Sequence, residues 1–390
     1  MLRQRYLKRR VLDDLGEKMV FVGGARQVGK TTFATRIIAE AFNHPAYLTW
    51  DSRADRRRLM GEELPGDADI LIFDEIHKDR RWKNLVKGLF DKHRDRLKFL
   101  VTGSRRLDVF RRGGDSLQGR YHYYRMHPFS VAELAGREKL PGPFEEIDVG
   151  RRDHEDLVDI LLRFGGFPEP AVRQSEKFLR RWHVEKLERL FQEDIGQTEQ
   201  IRDLGSMKLL SDMLPERAGA LLSVNAIRED LEVSHRAAAH WLDVLEAFYY
   251  HFRIRPFARR AVRSLRKEPK LYLWDWSEIR DEGRRFENMV ASHLLKTVHL
   301  LVDGEGHRAK LHFLRTVDGK EADFLVAVDG KPWFALEAKL SDASVSRSLL
   351  YFKRKLDIPL AYQVVAGPRI DVVKDGVRVV SAGRFLAGLA

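Results

Sequence analysis

GARQVGKTT, from Gly24 to Thr32, decides the fold. Gly24, Gly29, Lys30 and Thr31 satisfy the spacing G-x-x-x-x-G-K-[ST]. Just before it, MVFV (Met19 to Val22) is a short apolar run that reads as a buried strand. Just after it, TFATRIIAEAF has helical spacing, with Phe33, Ile37, Ile38 and Ala41 on one face. Strand, glycine loop and helix thus come in the order that a phosphate cradle requires. The glycines let successive N–H groups turn inward around a phosphate, and the helix N-terminus adds its partial positive charge. Gly24, Ala25, Arg26, Gln27, Val28, Gly29, Lys30, Thr31 and Thr32 are the expected nucleotide-binding set, with ATP as ligand. Lys30 would reach the β- and γ-phosphates, and the Thr31 hydroxyl would ligate Mg2+.

Further along, DILIFDE (Asp69 to Glu75) is a buried parallel-sheet strand that ends in two carboxylates. Asp74 would hold Mg2+ and Glu75 would polarise the attacking water. A third strand, LKFLVTGS, ends in Thr102 and Ser104. Ser104 either senses the γ-phosphate or caps a helix.

Composition sets the outer limits. A chain of 390 residues exceeds one ordinary core, so two to four domains are expected. No apolar stretch approaches membrane-spanning length, and no secretory signal follows the basic start MLRQRYLKRR. The absence of cysteine excludes disulfides and thiolate metal sites and fits a cytoplasmic chain. A net charge of +12 favours a polyanionic partner, DNA first.

From Arg151 the sequence is helical and charged. VNAIREDLEVSHRAAAHWLDVLEAF then reads as helix, turn, helix, with Asn225 and Ser234 as N-caps. Trp241, Leu242, Leu245 and Phe248 form its apolar face, and His235, Arg236 and His240 would approach a major groove. The next stretch, Arg253 to Lys270, holds eight basic residues against one acid, Glu268, and reads as a phosphate-gripping wing.

GARQVGKTT, ILIFDEIHK, VTGSRRL and LQGRYHYYRMHPFSVAEL, in that order, resemble the AAA-type ATPases that carry a DUF4143 region. GGFPEP, FQEDI and EADF…LEAKL extend the resemblance over nearly the whole chain. Ala25 stands where that family often has proline, and His77 where it often has glutamine. The resemblance implies an arginine that stabilises the transition state: Arg120 first, Arg111 or Arg112 otherwise, supplied either by the same chain or by a neighbouring copy in a homo-oligomer. It also implies the fold class: α/β, a P-loop AAA-type ATPase core with helical lid, winged helix and a C-terminal PD-(D/E)xK-like α/β domain. The expected boundaries are 1–150, 151–215, 216–270 and 271–390.

In the last of these, helix–strand–strand–strand–helix–strand order resembles a restriction-endonuclease-like fold. Asp323, Glu337 and Lys339 follow its D…E-x-K pattern. Glu337 and Lys339, two apart on a strand, point to one face. Asp323 and Glu337 would hold Mg2+, and Lys339 would orient water. Glu287 matches a further metal-ligand position of that fold, and Gln363 is another candidate. The other reading of E-x-K is a surface ion pair. Asp329-Gly330 suggests a two-residue turn. Strict pairing across it puts Asp323 opposite Leu336, on the face away from Glu337, so the site needs a bulge or a longer loop, with Pro332 its expected cause. Two functions follow: an ATPase coupled to a metal-dependent nuclease, or an ATP-gated DNA- or protein-binding switch on a non-cleaving platform.

Overall fold

The computed structural model describes residues 5–79, 81–104, 117–137, 140–196, 201, 203–258, 267–341 and 344–390. The chain divides into two compact units, Met1–His127 with Ala247–Tyr249, and Pro128–Glu246 with Tyr250–Ala390. The first boundary was expected at residue 150. It falls at His127 because the segment that follows packs within the second unit: Lys296 bonds Glu133 at 2.7 Å, and the Trp333 indole donates to the Glu145 carbonyl.

In the first unit, α1 (Lys8–Leu15) precedes β1 (Met19–Gly24). Helix α2 follows the glycine loop and covers residues 30–41. Then come β2 (Pro45–Thr49), α3 (Arg53–Met60), β3 (Ile70–Asp74), α4 (Trp82–His93), β4 (Lys98–Gly103) and β5 (Tyr121–Met126). The five strands are parallel, in the order β2-β3-β4-β1-β5. The apolar runs of β1, β3 and β4 are buried on both faces, as the interior of a parallel sheet demands. Phe21, Phe73, Trp82, Val86, Leu89 and Phe99 form the core on one side. Because β4 lies between β1 and β3, its C-terminal end sits beside both the glycine loop and Asp74. Helix α2 opens as an α-turn and widens to a π-helix over Phe33–Ile38. The wider turn shifts the buried face, so Ala39 is inside and Ala41, expected on that face, is exposed.

The second unit begins with helices: α5 (Val131–Leu134), α6 (Glu155–Phe164), α7 (Pro168–Arg173), α8 (Glu176–Arg189) and α9 (Leu204–Met213). The helix-turn-helix pair is α10 (Val224–Asp230) and α11 (His235–Ala247). Ser234 accepts from the Ala237 N–H as expected, but Ser223, not Asn225, caps α10. Trp241, Leu242, Leu245 and Phe248 are buried.

An eight-stranded mixed sheet follows. Its strands are β6 (His251–Pro256), β7 (Lys270–Leu273), β8 (Ala309–Arg315), β9 (Glu321–Val328), β10 (Lys331–Lys339), β11 (Leu360–Val365), β12 (Asp371–Lys374) and β13 (Val377–Ser381). Their spatial order is β12-β13-β11-β10-β9-β8-β6-β7. Helix α12 (Glu282–Asp303) precedes β8, α13 (Arg347–Leu356) connects β10 to β11, and α14 (Ala382–Ala387) ends the chain. The hairpin β6–β7, expected as a free wing, is part of this sheet, since β6 pairs with β8. No helix among the described residues is long and apolar enough to cross a membrane.

Candidate nucleotide site and candidate metal centre

The glycine loop is locked from several sides. A Cβ at Gly24 would lie 2.5 Å from the Met126 carbonyl oxygen, so β1 and β5 approach there only because residue 24 is glycine. Gly29 turns the chain into α2 at φ 96°, a left-handed conformation that glycine adopts without penalty. The buried Lys30 ammonium donates to the Gly24 and Ala25 carbonyls, both at 2.9 Å, and so lies inside the loop. Arg5 was not expected here. Its guanidinium bonds the Val28 carbonyl at 2.8 Å and the His127 carbonyl at 2.6 Å, tying the loop to the end of the unit.

Asp74 is the meeting point of the site. Its carboxylate accepts from Thr31 at 2.7 Å, Thr102 at 2.5 Å and Tyr47 at 2.9 Å. Burial and the neighbouring Asp74 push the Tyr47 phenol well above its usual range, so it stays a neutral donor. Glu75 adopts φ 54°, unusual for a residue with a side chain. Its carboxylate accepts from Ser104 at 3.1 Å and lies 3.6 Å from His77 Nε2. The Thr31 hydroxyl beside the Asp74 carboxylate is the pair of oxygen groups that a P-loop offers to Mg2+. These residues fit the ion.

Arg120 does not join them. It precedes β5, and its carbonyl accepts from the Met19 N–H at the start of β1. The glycine loop lies at the other end of that strand, roughly 16 Å away at 3.3 Å per residue. The Arg120 guanidinium pairs with Asp91 at 2.8 Å. It therefore cannot serve the loop of its own chain. Arg111 and Arg112 lie outside the described residues.

The second constellation sits at the start of β9 and the end of β10. Asp329 and Gly330 both have positive φ, forming the expected tight turn. The register then shifts between Pro332 and Phe334, leaving Trp333 unpaired as a bulge. After the bulge Leu336 pairs with Phe324, so the next pair is Glu337 with Asp323. Both then share a face with Leu325 and Ala335. The Ala338 N–H donates to Asp323 at 2.9 Å. Lys339 Nζ lies 3.0 Å from Glu337 Oε1. Glu337 Oε2 is buried without a hydrogen-bond partner.

Burial, then Glu287 and Glu337, push the Asp323 carboxyl well above the usual range; Lys270 and the Ala338 N–H offset only part of this. Burial also raises Glu337, against the pull of Lys339. Crowded carboxylates with one buried, unpartnered oxygen form a donor set suited to a hard divalent cation. Oxygens of Glu287, Asp323 and Glu337 do not all lie within 4.8 Å of one another; among the described residues only His183, Asp275 and Glu278 form such a group of three. Gln363 pairs in register with Glu337 on the neighbouring strand, and its amide accepts from the Ser346 N–H and donates to the Ser344 carbonyl, holding the turn before α13.

Sequence reasoning missed two members of this cluster, both on β7. Lys270, assigned to the wing, is buried and pairs with Glu321 at 2.6 Å and Glu287 at 3.3 Å. Tyr272 donates to Glu287 at 2.7 Å. The alternation of KLYL, with two polar groups two apart in an apolar strand, was the available signal. Arg253, also assigned to the wing, pairs with Asp243 and Glu246 of α11. Arg259, Arg260, Arg263 and Arg266 lie outside the described residues. His235, Arg236 and His240 are exposed on α11.

Residues 16–135 match the family model of an AAA domain, 154–277 a domain of unknown function, DUF8612, and 282–385 another, DUF4143. The uncharacterized proteins MJ1544 of Methanocaldococcus jannaschii and Rv2008c of Mycobacterium tuberculosis are each 23% identical to this chain. The matches cover 87% and 94% of this chain and 79% and 81% of theirs. Among solved structures, the Aeropyrum pernix Orc1 protein in complex with DNA overlaps 76% of this chain and 94% of its own, at 15% identity and TM-score 0.34. The Thermotoga maritima RuvB Holliday junction branch migration motor overlaps 64% and 90%, at 18% identity and TM-score 0.32. The chain therefore carries an α/β AAA domain followed by a DUF4143 domain, as its motifs led us to expect.

Proposed function

We propose that this chain is a Mg2+-dependent ATPase that associates with DNA and carries a metal-dependent phosphodiesterase site in its DUF4143 domain. The observation that carries the ATPase is the Thr31–Asp74 contact beneath a glycine loop filled by the Lys30 ammonium. Lys30 would hold the β- and γ-phosphates, with the loop N–H groups around them. Glu75, oriented by Ser104, would accept the proton of the attacking water. Bound Mg2+ would supply neutralisation of the phosphate oxygens. Arg120 would act only on a neighbouring copy, which makes this chain a homo-oligomer during turnover. The test separates binding from hydrolysis. Lys30→Ala should lose nucleotide affinity, whereas Glu75→Gln should bind ATP and not turn it over. Parental turnover by Glu75→Gln would remove the water-activating role.

The Asp323–Glu337 convergence across the bulge supports the second activity. Lys339 would orient the attacking water there, and exposed His235, Arg236 and His240 would approach the DNA. Incubation of supercoiled DNA with Mg2+ or Mn2+ tests it: cleavage should vanish in Glu337→Ala while ATP hydrolysis persists. The salt dependence of DNA binding should flatten when Arg236 is reversed to glutamate, by a slope of about one per lost phosphate contact. One observation favours an ATP-gated switch without cleavage. Lys270 and Lys339 already neutralise part of the acidic cluster. Intact ATPase and DNA binding with no cleavage under either metal would select that reading.

A further inference from the structure

The geometry points to Lys270 as the residue that sets the metal stoichiometry of the C-terminal site: it withholds Glu287, so that a single divalent cation is taken, on Asp323 and Glu337. This rests on the metal-site reading above.

Lys270 and Tyr272 are two apart on β7 and face the same way. Both donate to the same oxygen of Glu287, Oε1, at 3.3 and 2.7 Å. The other oxygen, Oε2, faces Gly219, where a Cβ would stand 3.3 Å away. Gly219 has φ +75°, so that close approach belongs to a backbone position that favours glycine. Glu287 therefore has Oε1 held by two donors, and its side chain is 20% exposed, with Oε2 facing the side-chain-free backbone of Gly219. Lys270 also holds Glu321 at 2.6 Å, and Arg315 holds the other Glu321 oxygen at 3.0 Å.

The opposite holds for Glu337, whose Oε2 is buried and unpartnered. Asp323 uses one oxygen on the Ala338 N–H. The acceptors left for a cation are thus on Asp323 and Glu337. Charge points the same way. Four carboxylates, Glu287, Glu321, Asp323 and Glu337, meet three cations, Lys270, Arg315 and Lys339. One divalent ion turns the remaining negative charge into a single positive one; a second would leave three. Lys270 cannot simply leave, because Glu287 would lose its counter-charge and Glu321 one of its two.

The experiment is Mn2+ binding to the full chain without nucleotide, in an Asp74→Asn background that removes the P-loop ion, read by electron paramagnetic resonance of free Mn2+. One ion per chain is expected, lost in Glu337→Gln and in Asp323→Asn. Glu287→Gln should leave the affinity within about twofold, because a withheld carboxylate contributes no ligand. Lys270→Met should tighten binding by about tenfold or more, because Glu287 is then released as a further charged ligand. The inference is overturned if Glu287→Gln weakens binding more than that, if Lys270→Met leaves it equal or weaker, or if two ions bind the parent. No Mn2+ binding, or binding indifferent to Asp323 and Glu337, overturns the metal-site reading and the inference with it. Circular dichroism checks that Lys270→Met folds; if it does not, the Glu287→Gln arm decides alone.

Discussion

Two buried acid–lysine clusters in the second unit use the same residue types and end in opposite electrostatic states. In one, Lys186 pairs with Asp275 at 2.7 Å and with Glu278, while Tyr250 donates to Glu278 at 3.0 Å and Ser277 to Asp275 at 2.5 Å. His183 stands 3.6 Å from Asp275, and the Lys186 ammonium lies 4.9 Å from the Trp182 ring. Burial alone would raise the Asp275 carboxyl; Lys186 and then His183 outweigh it, and the carboxyl lies below its usual range. In the other cluster burial and like charges win, and Asp323 and Glu337 are both raised. The first has the geometry of a metal site, yet its cation is already present as a side chain. The second is short of positive charge. A carboxylate cluster thus reads as structural or functional by how many of its oxygens are satisfied, not by how close its acids lie.

The largest expected effect is Lys186→Met. It strands two buried carboxylates and should cost about 3–5 kcal/mol in urea denaturation. A loss no larger than a surface substitution would erase the contrast. Next, Glu337→Gln removes a buried charge that lacks a full complement of partners. Without metal it should stabilise the chain by about 1 kcal/mol. If it destabilises, the cluster is a completed one like that around Asp275.

Dependence on pH should also have opposite sign. A carboxyl raised by folding, as Asp323 is, stabilises the native chain while protonated, and this is lost as pH climbs through the raised value. One lowered by folding, as Asp275 is, stabilises above the ordinary range, and this is lost as pH falls through the lowered value. Asp323→Asn should therefore flatten the fall in stability between the ordinary aspartate range and neutrality. Asp275→Asn should flatten the acid limb instead. Stability curves of the two variants with the same slope would contradict the comparison. The smallest effect is Lys339→Gln. Lys339 is 39% exposed, so solvent screens its pair with Glu337 and its loss should cost at most about 0.5 kcal/mol.

How much of this could be read in advance depends on the range of the interactions. The P-loop and Asp74–Glu75 are local strand-and-loop patterns, and periodicity found them. The bulge followed from counting residues across the Asp329-Gly330 turn. Arg5, Tyr47, Lys270 and Tyr272 escaped because each meets its partners from another part of the chain. The carbonyl partners of Arg5, on Val28 and His127, carry no side-chain signature. Arg253 and Lys270 looked like wing cations because composition counts charge without counting the acids that face it. The boundary at His127 was missed for a related reason: Glu133 finds its cation 163 positions later.

The extra residue at Trp333 makes the C-terminal site a matter of parity. Removing that residue would leave Asp323, Glu337, Lys339 and Glu287 all present, yet it would swing Glu337 and Lys339 to the far side of the sheet. A relative could keep the full D…E-x-K signature and still lack the convergence, one codon short between its turn and its acids. Conversely, a relative with the shorter strand could regain the convergence by inserting a single residue, without touching any of the four side chains.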